Sequence, residues 1–214
     1  MDKGVTVGKW MLGIALAAFT ALPGSAQTTL RASVAGSRPV PRGVATEGKL
    51  SFDGRANVGK FTGTTTTITG ELSGGDDISK ARGWVEAPVG TLATGNDKRD
   101  RDLNRSMESD KYPTIRFELT GVVPKSESND SAQVELQGAF QIHGVRRDAT
   151  IPATIVFAGD AIRVHADTPL NLKDYRIGGL SKALGMLRMY EDIVVHIDVA
   201  FGPAAAGSTA RTEY

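Results

Sequence analysis

The sequence predicts an all-β fold, an antiparallel barrel or sandwich of eight strands, on two observations. Apolar and polar residues alternate with a period of two in eight separate segments, as in strands that bury one face. Clusters of Gly, Asn, Asp and Ser separate the segments at hairpin spacing, for example at 57–59, 74–76, 128–130 and 159–160. The 214 residues, 40% of them hydrophobic, are enough for a sizeable core.

The first 26 residues predict a signal peptide for export, most simply to a bacterial periplasm. Two lysines precede a short apolar run at 10–22, and Pro23 with three small residues follows it. An uncleaved anchor is the weaker alternative, because the run is shorter than the roughly 20 residues of a membrane span. We therefore expect no transmembrane segment in the mature chain. That chain has no cysteine, so it must be stabilised by its hydrophobic core.

Residues 27–47 contain two prolines and no apolar periodicity, and we interpret them as a flexible linker. Residues 203–214 have the same character and are expected to form a disordered tail. The domain proper is predicted to span residues 48–202.

The eight strands are predicted in order along this domain. The second is the Thr-rich segment 60–72 and the third runs through about 79–92, whereas the others are marked by apolar residues on one face. These residues are Leu50 and Phe52; Ile115, Phe117 and Leu119; Val134, Leu136, Phe140 and Ile142; Ala149, Ile151, Ala153, Ile155 and Phe157; Ile162 and Val164; and Ile193, Val195, Ile197 and Val199.

Two segments depart from the strand pattern and predict helices. Residues 96–107 are highly charged, begin at a capping Asn96 or Asp97 and end before Pro113, so we expect a helical insertion between the third and fourth strands. In residues 180–187 the apolar residues recur with helical spacing. This second segment predicts a short amphipathic helix that caps one end of the barrel before the last strand.

Composition and motifs argue against several functions. The 25 basic and 24 acidic residues balance, which is unfavourable for nucleic-acid binding. No nucleophile elbow or dinucleotide-binding glycine motif occurs, and no cofactor is expected. By strand parity His143, His165 and His196 face away from the apolar side, and His165 with His196 would supply only half of a metal site. We therefore predict that the protein has no catalytic residues and no metal site, and that it is not an enzyme.

An apolar lumen is the remaining candidate site. An eight-stranded barrel is just wide enough to be filled by side chains or to hold one slender ligand. Small residues on the apolar faces, such as Gly63, Gly83 and Ala153, favour an open lumen but are equally compatible with a packed core, so the sequence leaves both open. The predicted ligand-binding residues are Phe52, Phe61, Val85, Phe117, Leu119, Leu136, Phe140, Ile142, Ile155, Phe157 and Val195.

Three stretches resemble the YceI-like family of lipocalin-like periplasmic proteins. The first is Thr-Leu-Ala-Thr-Gly-Asn at 91–96, followed by Arg99-Asp100, Leu103 and Tyr-Pro-Thr-Ile-Arg-Phe at 112–117. The second is Gly-Ala-Phe-Gln-Ile-His-Gly-Val at 138–145, and the third is Leu-Lys-Asp-Tyr-Arg-Ile at 172–177. Their order and spacing agree over about 150 residues, although Arg146-Arg147 departs from the family pattern.

The resemblance implies an eight-stranded antiparallel lipocalin-like barrel that binds a polyisoprenoid, without catalytic residues. Asn96, Arg99 and Asp100 are expected to stabilise the inserted helix or to contact a ligand head group at the barrel mouth. The leading hypothesis is an exported carrier of a long isoprenoid or acyl amphiphile. The alternative is a structural or envelope-stress interaction protein with a packed lumen, and a homodimer is compatible with either.

Overall fold

The computed structural model describes residues 39–178, 181–182 and 187–204, without the side chains of residues 181, 182 and 187. The strands are β1 (Gly43–Ala56), β2 (Gly59–Thr65), β3 (Thr69–Ser73), β4 (Arg82–Pro88), β5 (Thr114–Glu127), β6 (Ser131–Ile142), β7 (Val145–Ala158), β8 (Ala161–Asn171), β9 (Ser181–Lys182), β10 (Leu187–Arg188) and β11 (Asp192–Gly202). A helix, α1, spans Asp97–Ser106, and three short 3-10 helices span Ile78–Lys80, Val89–Thr91 and Leu172–Tyr175.

Nine of these strands form one antiparallel sheet that closes into a barrel. β1 pairs on one side with β11, from Val44–Gly202 to Asp53–Val194. On its other side, the end of β1 pairs with β2, and its start pairs with β3. β2 and β3 pair with the same edge of β1 and together act as one strand position. The nine strands therefore give a barrel with eight strand positions around the lumen. The predicted eight-stranded antiparallel barrel is confirmed, with one extra strand.

The inserted helix lies where it was predicted, between β4 and β5. Asn96 is the N-cap, and its side-chain oxygen accepts a hydrogen bond from the Arg99 backbone N–H at 3.0 Å. Asp97 and Asp100 in the first turn and Arg105 in the last complement the helix dipole. None of the α1 residues is fully buried, so the helix packs on the barrel without entering the core.

The predicted start of the domain and the predicted extent of the second strand are both wrong. β1 begins at Gly43, inside the expected linker, and Val40 is buried in a bridge to Gly75. The Thr-rich segment forms two strands instead of one. Thr65 Oγ1 accepts a hydrogen bond from the Thr67 N–H at 3.1 Å, a local turn that competes with strand pairing. After this break the chain leaves the end of β1 and pairs with β4.

The third strand is also shorter than predicted, because 3-10 helices replace both of its ends. Pro88, which has no N–H to donate to a sheet, ends β4. The capping helix predicted at 180–187 is wrong within the described residues, where β9 and β10 pair as an antiparallel ribbon. Eight residues give only about two helical turns, which are marginal without strong packing, and Gly185 lowers their helix propensity further. Residues 180 and 183–186 lie outside the described residues.

The core extends along the lumen and is packed most tightly at the end remote from the cavity described below. Ile78, Val89, Ile151 and Val199 are its most completely buried large side chains; Ile78 belongs to the 3-10 helix between β3 and β4, and Val89 to the one that precedes α1. In the described part of the chain, no helix has the length and apolar character needed to cross a membrane.

Candidate functional site

The other end of the barrel contains an apolar cavity of about 390 Å³. Its walls come from β1, β2, β5, β6, β8 and β11, and α1 lies over it. The exposed residues Val58, Lys60 and Lys98 are among its lining, so the cavity opens to solvent at this end. We call this opening the mouth and the space behind it the main cavity.

Two aromatic rings of the β1–β2 hairpin shape the wall near the mouth. Phe52 pairs with Gly63 and Phe61 pairs with Gly54, so each ring faces a glycine on the neighbouring strand. A Cβ added at Gly63 would lie 2.2 Å from the Phe52 ring, and one added at Gly54 would lie 2.6 Å from the Phe61 ring. The glycines therefore make room for the rings, which meet edge to face with centroids 6.1 Å apart.

The side of α1 that faces the mouth is mainly polar. Asn96, Lys98, Arg99, Asp102 and Ser106 line the main cavity, with Leu103 and Met107 among them. The Arg99 guanidinium lies 4.5 Å from the centre of the Phe61 ring, and its Nε donates a hydrogen bond to Thr94 Oγ1 at 3.0 Å. These contacts hold a cation over the entrance to an apolar space.

Asp100 does not line the cavity, unlike the other two predicted head-group residues. Its Oδ1 accepts hydrogen bonds from the backbone N–H of Thr94, at 2.9 Å, and from the Thr94 hydroxyl. Thr94 in turn accepts the hydrogen bond from Arg99. Asp100 therefore positions Arg99 at the mouth indirectly, through Thr94. Asp102, which the sequence did not single out, lines the cavity instead and pairs with Arg105 at 3.1 Å.

A second apolar cavity, of about 90 Å³, lies deeper in the barrel. Leu50, Ile115 and Phe140 line both cavities and so form a partition between them. Phe140 is almost fully buried, and its ring packs against Phe117 on the deep side with centroids 4.9 Å apart. The lumen is therefore neither fully open nor fully packed: it is open above the partition and largely filled below it.

The predicted lining residues divide between these two spaces. Phe52, Phe61, Phe140, Ile142 and Val195 line the main cavity, and Val85, Phe117, Leu119, Leu136 and Ile155 join Phe140 around the deep one. Phe157 lines neither, because it lies near the end of β7 and packs against the outside of the core cluster.

Sequence reasoning missed a further part of the main cavity wall. Leu170, Leu172, Tyr175, Ile177 and Met189 line it from the end of β8 and the segments that follow. Most of them lie outside regular strands, where parity gives no prediction. The apolar residues of the 172–177 motif were the one available signal.

The three histidines have different surroundings. His165 and His196 lie on the outer face as predicted, and each is opposite an aspartate in the β8–β11 register, Asp198 and Asp167 respectively. The prediction that His143 faces outward is wrong, because this residue lies in the turn after β6 and is buried. Its Nδ1–H donates to the Tyr175 carbonyl at 3.0 Å, and its ring packs against Tyr112. Among the described residues, no group of three or more ligand-type side chains is arranged to hold a metal ion.

Replacing His196 by glutamine is expected to lower stability at mildly acidic pH alone. A hydrogen bond to Asp167 raises the pKa of His196, with a smaller contribution from Asp53. A raised pKa stabilises the fold fully below the ordinary value of 6.5, and this stabilisation is lost as the pH rises through the higher folded value. Because the side chain is 38% exposed, solvent screening limits the effect to at most about 1 kcal/mol.

Urea unfolding of both proteins at pH 5.5 and pH 9 measures this difference. A stability gap that is equal at the two pH values would contradict the assignment of the stabilising charge to His196.

Comparison with known proteins gives one family and several structures of the same fold. The YceI-like domain model matches residues 43–201. The chain is similar to BcnA of Burkholderia cenocepacia, with 13% identity and a TM-score of 0.61 over 72% of this chain and 95% of that one. It is also similar to a polyisoprenoid binding domain from Saccharophagus degradans implicated in plant cell wall breakdown, with 14% identity and a TM-score of 0.61 over 77% and 99% of the two chains. No curated protein matches the chain.

Proposed function

Because the chain belongs to the YceI-like domain family, we propose that it is an exported carrier for a long isoprenoid or acyl amphiphile. The main cavity is the observation that supports this function most directly. It is apolar inside, opens at one end and has charged residues around that opening. This arrangement suits a ligand with a long apolar chain and one polar end.

The cavity wall provides enough apolar contact for useful affinity. Each methylene transferred from water to an apolar wall contributes about 0.8 kcal/mol before the costs of association are subtracted. Several isoprene units therefore suffice for tight binding. The wall offers few polar groups below the mouth, so recognition of the chain is expected to depend on its length and shape more than on its chemistry.

The charges at the mouth favour an anionic head group. Lys60, Lys98 and Arg99 line the opening, whereas Asp102, the one acidic residue among the described lining, is paired with Arg105. A carboxylate or phosphate placed beside α1 would lie among these cations and near the Asn96 side chain. The polyisoprenoid binding named for the Saccharophagus degradans domain agrees with an isoprenoid chain in the cavity.

Export to a periplasm is part of this proposal and is supported by the signal-peptide pattern of the first 26 residues. The function proposed is binding without catalysis or a cofactor. A carrier in that compartment would move a water-insoluble amphiphile between membranes.

Native mass spectrometry of the protein recovered from the periplasm of its own cells tests the carrier function. We expect one adduct per chain, with the mass of a single isoprenoid or acyl amphiphile that organic extraction then identifies. A folded protein that is recovered only without ligand would contradict the proposal and favour an interaction protein.

Replacing Arg99 by glutamine is expected to weaken binding of a long-chain carboxylate about tenfold, since a charge-assisted hydrogen bond is lost. The uncharged alcohol with the same chain should bind with unchanged affinity. Titration calorimetry of both ligands measures the difference. Arg101→Gln is the matched control, because Arg101 is exposed on the same helix and does not line the cavity. Equal losses for acid and alcohol would assign Arg99 to packing instead of head-group binding.

A further inference from the structure

Exposed apolar side chains are concentrated at one end of the barrel. Among the residues that the structure describes, three large hydrophobic side chains are exposed: Val58 at 73%, Tyr190 at 41% and Val194 at 39%. Val194 pairs with Asp53, the Tyr190 N–H donates to the Arg55 carbonyl, and Val58 lies at the tip of the β1–β2 turn. The three residues therefore follow the end of β1 to the mouth, and we call them the rim stripe.

Turn formation does not explain the exposed valine at the tip of the stripe. Val58 occupies a two-residue hairpin turn, where Asn, Gly and Asp are the favoured residues. Val194 is on the outer face of β11, since its neighbours Ile193 and Val195 line the main cavity. Their shared position beside the opening of an apolar cavity favours an interaction site.

Basic residues surround the rim stripe. Arg55 and Lys60 are exposed and opposite each other in the β1–β2 register, and the Arg55 guanidinium lies 5.7 Å from the centre of the Tyr190 ring. Arg188 is exposed beside the turn, where its carbonyl accepts a hydrogen bond from the Asn57 N–H.

Three acidic residues near the rim stripe form contacts within the protein. Asp53 accepts from the Thr62 hydroxyl at 2.7 Å and lies 3.3 Å from His196 Nε2. Glu191 lies 2.6 Å from Lys173 Nζ, which lowers its pKa to about 2, and 3.5 Å from Arg188 Nη2; Asp192 accepts from Asn171 at 2.7 Å. Beside Val58 and Tyr190, the basic residues Arg55, Lys60 and Arg188 outnumber the acidic Glu191, so the tip of the stripe is apolar with a positive margin, whereas Asp53 lies beside Val194 at the other end.

We propose that the rim stripe docks the mouth on the anionic phospholipid surface of a bilayer. Val58 and Tyr190 would enter the interface, where apolar and aromatic side chains are stabilised, while Arg55, Lys60 and Arg188 contact lipid phosphates. The docked mouth faces the bilayer, so an amphiphile passes into the main cavity without crossing water. This use of the surface rests on the proposed carrier function, but docking itself requires no cargo.

Vesicle co-sedimentation tests the docking. The chain from residue 27 onward is used, because it contains every described element of the barrel and lacks the apolar run 10–22, which would itself bind vesicles. We expect binding to vesicles of phosphatidylcholine with phosphatidylglycerol, little binding to phosphatidylcholine alone, and weaker binding in high salt. The double variant Val58→Asp, Tyr190→Asp should bind at least about tenfold more weakly.

Val156→Asp is the control, since Val156 faces outward near the far end of β7 and should leave binding unchanged. Equal vesicle binding by the parent chain and the double variant would overturn the proposal. So would a parent chain that ignores vesicles but self-associates through the stripe, as sedimentation velocity would show. Binding of an amphiphile supplied from detergent is measured separately, so a failure of docking and a failure of the carrier function are distinguishable.

Discussion

Replacing Val195 by aspartate is expected to abolish amphiphile binding, with a loss of at least about a hundredfold in affinity. Val195 lines the main cavity from β11, and an ionised carboxylate there loses its hydration when an apolar chain enters. In the ligand-free protein the carboxylate faces the main cavity, which water enters from the mouth, so we expect the barrel to remain folded. Titration with a fluorescent fatty acid supplied from detergent measures the loss, and near-ultraviolet circular dichroism checks the fold.

Val194→Asp is a matched control for this experiment. It places the same substitution one residue earlier on β11, where the side chain faces outward. Its affinity should stay within about threefold of the parent chain, as for a surface substitution. If Val195→Asp unfolds the barrel, Leu170→Asp tests the same wall from β8 at a half-buried position. Full binding by a folded variant of either kind would refute a ligand site in the lumen.

Replacing Leu50 by alanine is expected to lengthen the chains that the protein prefers. Leu50, Ile115 and Phe140 separate the main cavity from the deep one, and we expect removal of the Leu50 side chain to join the two spaces. In a series of saturated fatty acids, affinity should rise about fourfold per added methylene until the accessible space is filled. We expect this rise to stop several methylenes later in Leu50→Ala than in the parent chain.

Leu72→Ala controls for the loss of a leucine from the barrel interior. Leu72 lines the deep cavity but not the partition, so its removal enlarges that space without joining it to the main cavity. Both variants should lose about 2–3 kcal/mol of stability in urea unfolding, which removes stability as an explanation of any difference. An identical length limit in the two variants would show that Leu50 does not set the chain length.

The period-two pattern was sufficient to predict most strands and the face that each buries. It failed where short-range hydrogen bonds or turns compete with strand pairing, as at Thr65 and Thr67. It also failed at 180–187, where helical spacing of apolar residues occurs in a segment too short to be stable as a helix. It also missed the start of β1, which extends into the predicted linker. This start pairs with the end of β11, a contact between distant residues that no local pattern encodes.

Site residues were predicted less well than strands, because parity gives the face of a residue but not its height in the barrel. Phe52 and Phe117 both face inward, yet they lie on opposite sides of the partition. The small residues favoured an open lumen for the wrong reason. A Cβ on Gly83 would lie 2.4 Å from the Glu71 carbonyl oxygen, so this glycine permits close approach of two strands and provides no space for a ligand.

The pairing of β1 with β11 has a practical consequence for experiments on this protein. Val44 is opposite Gly202, whereas the mouth lies at the other end of the same pair, beyond Asp53 and Val194. The described chain therefore starts and finishes on the side remote from the opening. A fluorophore attached near Val44 or Gly202 should therefore leave cargo exchange undisturbed, and two fluorophores at these positions would report opening of the barrel seam directly.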